Sequence, residues 1–231
     1  MSTSIHNLHS RRRSSSSWPA WANHLPDDAS LGLRTQGRVV TDHRSSWVRR
    51  LQSAIGDVYV KTYRYDGWIH HLRSLGRRTA PWCEGRATRE FDALCWLRDH
   101  GFAAPEPLLV LEQRRLGFLR QATLVTVADP GIDAAALLPT LDATDLHAAV
   151  AAIRQFVQGL HAAGFRDGNL DLRNLLLRRT PQGFGVAKVD SPRYRIRPPG
   201  HQVDRWVRAD WRRLEPQLAA ASAALEGHFA P

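Results

Sequence analysis

The chain has 231 residues, 43% of them apolar, enough for one large or two small cores, and its two cysteines, Cys83 and Cys95, exclude a disulfide framework or a cysteine-built metal site. The formal net charge of +10 is uneven: residues 44–90 hold ten Lys/Arg against four acids, residues 164–213 twelve against five, and residues 102–162 four against six. No run approaches the roughly 18–20 apolar residues of a membrane span, and Arg11-Arg12-Arg13 leads into serines and not into the apolar stretch of a secretory signal.

Residues 1–30 read as a disordered basic tail rich in Ser and Arg. Gly37–Thr41 and Ser46–Leu51 read as short strands joined by a polar turn, and Asp57–Tyr63 alternates as a half-buried strand does, closed by Asp66-Gly67. Arg86–His100 places Ala87, Phe91, Leu94 and Leu97 at helical spacing, with Gly101 as the stop. Pro105-Glu106-Pro107 breaks the chain, and strands are expected at Leu108–Glu112 and Gln121–Val127. Leu146–Ala162 and Trp206–Leu225 then carry helical periodicity. Strands first and helices after predict two lobes, residues 31–128 and 129–231, with a hinge near Val127–Gly131.

Four positions could carry chemistry together. Lys61 sits on the alternating strand and Glu90 on the next helix, the order in which a kinase steers a strand lysine onto nucleotide phosphates. Gly164–Leu177, reading GFRDGNLDLRNLLL, has the layout of a kinase catalytic loop, with Asn174 at the metal-holding position. Asp190 ends an apolar strand sixteen residues later, where kinases place a second metal ligand, and with Asn174 it could chelate Mg²⁺. Asp210, in Arg208-Ala209-Asp210-Trp211, is a candidate buried acid that anchors the loop through backbone N–H groups. The basic stretches also suit a polyanion, but nothing resembles a zinc finger or an RNA-binding aromatic motif, so a nucleic-acid-binding module is the weakest reading.

The runs VYVKTYRYDGW, ATREFDALCWLRDHGFAAPEPL, LHAAGFRDGNLDLRNLLL and VAKVDSPRYRI together resemble the lipopolysaccharide kinase family, the Kdo/heptose (WaaP-type) kinases, over roughly Gly37–Leu214. The resemblance implies an α+β, protein-kinase-like two-lobed fold, an antiparallel-sheet N-lobe with one helix and a mainly helical C-lobe. It implies ATP-dependent phosphoryl transfer to a sugar hydroxyl of the lipopolysaccharide inner core, with Lys61 on the α/β-phosphates, Glu90 paired to it, and Asn174 and Asp190 holding Mg²⁺. The implied partner is a glycolipid or core-oligosaccharide acceptor. The implied location is the cytoplasm, with weak peripheral contact to the anionic surface of the inner membrane. A phosphate-gripping glycine-rich loop is not evident, because Gly37 and Gly56 stand too far apart.

The family's catalytic Asp maps onto Asn169, and an amide cannot accept a proton at neutral pH. Phosphoryl transfer asks little of its base, so the loss is expected to lower the rate by on the order of 10²–10⁴ and not to abolish it. Asp167 and Asp171 flank the gap, and Asp171 is the better replacement base because its position faces the reaction centre in many kinases. The alternative is a catalytically impaired pseudokinase that binds nucleotide as a scaffold or regulatory module.

Overall fold

The computed structural model describes residues 8–14, 37–53, 56–65, 83–198 and 205–228. The turn expected at Asp66-Gly67, and most of the expected tail, lie outside them. The chain divides into two units, residues 1–95 with 106–128, and residues 96–105 with 129–231.

The first unit is one antiparallel sheet with a helix. Its strands are β1 (Leu8–Ser14), β2 (Arg38–His43), β3 (Ser46–Ser53), β4 (Gly56–Arg64), β5 (Pro107–Arg115) and β6 (Phe118–Val127), in the order β1-β5-β6-β4-β3-β2. The alternation in β4 has its expected effect. Val58, Val60 and Thr62 are buried, and Val58 and Val60 pack with Leu108, Leu109, Leu111 and Val125, while Lys61 is only partly covered. Leu108–Leu111 is buried without alternation, as a central strand covered on both faces should be. Helix α1 (Arg86–Asp99) buries Ala87, Phe91, Leu94 and Leu97. It ends at Gly101 (φ 78°), where Phe102 N–H returns to the Leu97 carbonyl at 2.8 Å, a left-handed cap that glycine adopts without strain.

Two expectations are corrected here. Leu8–Ser14, read as disordered tail, is the edge strand β1, paired residue by residue with β5. An edge strand can be held by backbone hydrogen bonds without an apolar pattern, and Arg13 adds ion pairs to Glu84 (3.5 Å) and Asp92 (3.4 Å). Trp96–Pro105, expected in the N-lobe, groups with the second unit. Aromatic contacts explain this: Trp96 packs on Phe102 and Phe165, Phe102 meets Phe156 edge-on, and Lys188 N–H bonds the Ala103 carbonyl at 2.9 Å.

The second unit is mainly helical. Helix α2 (Ala134–Leu137) is short, α3 (Ala143–Ala162) is capped by Asp142, whose side chain accepts Asp145 N–H at 2.8 Å, and α4 runs Arg205–His228. Leu146, Ala149, Val150, Ile153, Val157 and Leu160 form the buried stripe of α3, and the first five share a core with Leu170, Leu172, Leu175, Leu177, Leu214 and Leu218. Between the helices lie β7 (Ile132–Asp133), β8 (Phe165–Arg166), β9 (Leu175–Thr180), β10 (Gly183–Lys188) and β11 (Arg195–Ile196). They form a β10-β9-β7 sheet and a β11-β8 pair. No helix among the described residues is long and apolar enough to cross a membrane.

Candidate active site

In the first unit β4 and α1 present one pair. Lys61 Nζ lies 3.0 and 3.1 Å from the two carboxylate oxygens of Glu90. Glu90 is buried and also accepts the Tyr63 hydroxyl at 3.2 Å, whereas the Lys61 side chain keeps 23% exposure. A second buried cluster sets the start of α1. Glu112 accepts Gly85 N–H at 2.9 Å and the Thr88 hydroxyl at 2.5 Å, and Arg114 clamps its other oxygen at 2.6 and 3.0 Å while donating to the Cys83 and Gly117 carbonyls. The helix that carries Glu90 is therefore tied to β5 by fully satisfied polar groups.

In the second unit the loop from Phe165 to Asn174 is fixed from below by α4. Asp210, 2% exposed, accepts Asp167 N–H at 3.1 Å, Gly168 N–H at 3.0 Å and the His161 ring at 3.1 Å. Gln217 accepts Leu172 N–H at 3.2 Å. At the loop's entry, Gly164 (φ 92°) sits against the Arg197 carbonyl in space that a Cβ would occupy. Asn174 Nδ2 donates to the Asn169 carbonyl at 3.0 Å, closing the loop on itself.

The three residues around the missing base stand in different surroundings. Asn169 is half-buried on the loop. Asp171 caps the short 3₁₀ turn Leu172–Asn174: its carboxylate accepts Arg173 N–H at 3.1 Å and the Arg173 guanidinium at 2.9 and 3.0 Å, with Arg213 at 3.9 Å. Those guanidinium bonds hold its carboxyl below the usual carboxylate range, which weakens it as a base. This geometry disfavours the expectation that Asp171 accepts the proton. Asp167 is 2% exposed and lies 3.2 Å from Lys188 Nζ, itself 0% exposed. Burial holds the Asp167 carboxyl above its usual range while Lys188 opposes the shift, and a sealed, paired carboxylate is poorly placed to meet a substrate hydroxyl.

The backbone sets Val189, the residue before Asp190, against Asn174. The β9–β10 ladder ends at Leu175 opposite Lys188, and Val189 N–H continues it to the Asn174 carbonyl at 3.0 Å. Asp190 has φ 54°, a left-handed conformation that non-glycine residues hold at a cost of about 1 kcal/mol or more and that clusters at functional sites. A carboxamide and a carboxylate are hard oxygen donors suited to Mg²⁺. No group of three or more His, Cys, Asp or Glu that could hold a metal occurs among the described residues, so a metal on this pair would complete its shell with phosphate oxygens and water.

Sequence reasoning missed Lys188, His161 and Arg173. Only Arg173 left a local sign, a cation two residues after an acid at the start of a turn.

The model of the lipopolysaccharide kinase (Kdo/WaaP) family matches residues 33–225. The chain belongs to that family. It is a kinase, a phosphotransferase, with a protein-kinase-like fold. No curated relative matches. Among solved structures, this kinase is similar to WaaP in complex with acyl carrier protein, with 17% identity, a TM-score of 0.60, and 92% of this chain and 88% of that one covered. It is also similar to the Rio2 kinase–ADP/Mg²⁺–phosphoaspartate complex from Chaetomium thermophilum, with 16% identity, a TM-score of 0.50, and 84% and 66% covered.

Proposed function

We propose that this kinase transfers the γ-phosphoryl group of ATP to a sugar hydroxyl of the lipopolysaccharide inner core, on Kdo or heptose. The observation that carries the reading is the Lys61–Glu90 pair, a partly exposed strand ammonium held by both oxygens of a buried helix carboxylate. Such an ammonium is oriented for the α/β-phosphates. Asn174 and Asp190 would hold Mg²⁺, which shields the phosphoryl charge as it develops. The Rio2 relative was solved with ADP and Mg²⁺, which supports the same pair of ligands here.

The loop supplies position and not basicity. In a loose transition state the acceptor hydroxyl keeps its proton until late, so the Asn169 amide oxygen can accept that hydroxyl's hydrogen bond and orient the nucleophile. Asp171 keeps the turn in shape from its cap, and Asp210 keeps the loop backbone in register. The kinase works on the cytoplasmic side, with a glycolipid acceptor. One observation favours a second reading, a nucleotide-binding pseudokinase: Asp171 and Asp167 are both engaged and Asn169 cannot take a proton. Mg²⁺-dependent ATP binding combined with transfer to Kdo- and heptose-bearing core oligosaccharides tests the two. Transfer supports the first reading, and binding with no transfer to any acceptor supports the second.

A further inference from the structure

Tyr63 stands beside the Lys61–Glu90 pair as a third member. It follows Lys61 by two residues on β4, so both side chains leave the same face of the sheet, toward α1. Its neighbours across the ladder are Ser46 on β3 and Ala122 on β6, two small residues that leave room for the ring. On α1, Arg86 and Glu90 stand one turn apart on one side of the helix. The buried Tyr63 side chain meets both. The Arg86 guanidinium lies 4.9 Å from the ring centroid, and the hydroxyl donates to Glu90 Oε2 at 3.2 Å. Lys61 Nζ lies 5.5 Å from the same centroid, within reach of a cation–π attraction.

A glutamate carboxylate turns easily about its last torsion, and a lysine ammonium on its flexible stem follows it as a point charge. The pair alone therefore leaves the ammonium's place loosely set. The Tyr63 hydroxyl binds one of the two oxygens that Lys61 spans, at 3.0 and 3.1 Å, and so fixes the plane of the carboxylate. We infer that Tyr63 is a positioning residue for phosphoryl transfer: its hydroxyl sets the Glu90 carboxylate, and through it holds the Lys61 ammonium where nucleotide phosphates require it. The inference rests on the reading of Lys61 as the phosphate-holding cation. It is distinct from a packing role, because phenylalanine at position 63 fills the same space and keeps the ring beside Arg86 and Lys61.

The test joins chemical labelling of the nucleotide-free protein to kinetics. Only two of the 32 cationic side chains are lysine, Lys61 and the sealed Lys188, so acetic anhydride followed by mass spectrometry reads Lys61 on one peptide. Acetylation consumes an amine released from its carboxylate, so its rate reports how often the pair opens. Tyr63→Phe should acetylate at Lys61 on the order of 10-fold faster than wild type, the weight of one hydrogen bond to a charged group. Its single-turnover transfer from Mg·ATP should fall by a similar factor, on the order of 10-fold. In a Glu90→Gln background the same change should alter acetylation by less than about twofold, because the hydroxyl acts only through the pair. In a Lys61→Met background it should alter transfer by less than about twofold for the same reason. Circular dichroism should show every variant folded. The full Tyr63→Phe effect in either background would make the hydroxyl an independent support and overturn the inference. Wild-type labelling, wild-type transfer or loss of the fold in Tyr63→Phe would overturn it equally. A wild type that labels as expected but neither binds Mg·ATP nor transfers would sink the proposed function and leave the setting of the pair by Tyr63 standing. Transfer by wild type that Tyr63→Phe leaves unchanged would do the reverse.

Discussion

Each unit contains a lysine–carboxylate pair of nearly the same length, and the two are set in opposite surroundings. Lys61 reaches Glu90 at 3.0 Å with its side chain 23% exposed; Lys188 reaches Asp167 at 3.2 Å with both residues sealed. The first side chain keeps part of its surface exposed, while the second is sealed against Asp167 and the Asn174 and Val189 carbonyls. Distance alone does not separate a working pair from a holding pair. Access does. Lys188 bridges the Phe165–Asn174 loop and the strand end that leads to Asp190, so its charge acts on the position of the candidate metal residues.

Breaking the sealed pair should give the largest effect. Lys188→Met leaves Asp167 buried without a counter-charge and should cost about 3–5 kcal/mol in denaturant unfolding. Lys188→Met/Asp167→Leu should recover most of that loss, since an apolar pair of similar volume needs no partner. The pH profile of the single variant sharpens the point. Burial already raises the Asp167 carboxyl and Lys188 opposes it, so removing Lys188 raises it further. The native state then keeps a proton that the unfolded chain has released. Stability of Lys188→Met should therefore fall as pH rises from the ordinary carboxylate range, about 4, and recover as pH is lowered again. A flat profile between pH 4 and 8 would count against the buried charge.

Breaking the open pair should harm the chemistry more than the fold. Lys61→Met should lower phosphoryl transfer by on the order of 10²–10³, the usual loss when one charge-stabilising donor is removed, and should cost less stability than Lys188→Met, because the buried Glu90 carboxylate keeps the Tyr63 hydroxyl and the vacated position is partly open to solvent. A variant that unfolds like Lys188→Met would erase the contrast. Asp210→Ala removes the acceptor of two loop N–H groups and of His161 and should cost about 2–3 kcal/mol of stability. The smallest effect is expected at the loop's capping acid. Asp171→Asn keeps a cap acceptor for Arg173 N–H, so transfer should stay within about threefold of wild type. A hundredfold drop would return Asp171 to the role of proton acceptor.

Much of this was legible in the chain. Alternation in Asp57–Tyr63 and the spacing of Ala87, Phe91, Leu94 and Leu97 are direct prints of burial on one face, and the elements lie where those patterns put them. Asp210 as loop anchor was readable because a kinase-like loop needs an acceptor for its backbone donors. β1 was hidden because an edge strand of one Leu followed by His, Ser and Arg carries no apolar period. The Lys188–Asp167 pair was hidden for a different reason: its members are 21 residues apart, and a lysine in an apolar strand reads as a solvent-facing charge until its surroundings are known. At Asp171 the position suggested a reacting group, and the chain did not show that Arg173 two residues on binds its carboxylate.

The central claim is that a loop with an amide at position 169 still transfers phosphate, through position and charge rather than through a base. The direct measurement is single-turnover transfer from Mg·ATP to core-oligosaccharide acceptors by wild type and Asn169→Asp, with ATP affinity measured in parallel. Wild type should show transfer, and Asn169→Asp should equal it or exceed it, by up to on the order of 10²–10⁴, at unchanged ATP affinity. Wild type that binds Mg·ATP but transfers to no acceptor, with transfer appearing only in Asn169→Asp, would contradict the claim.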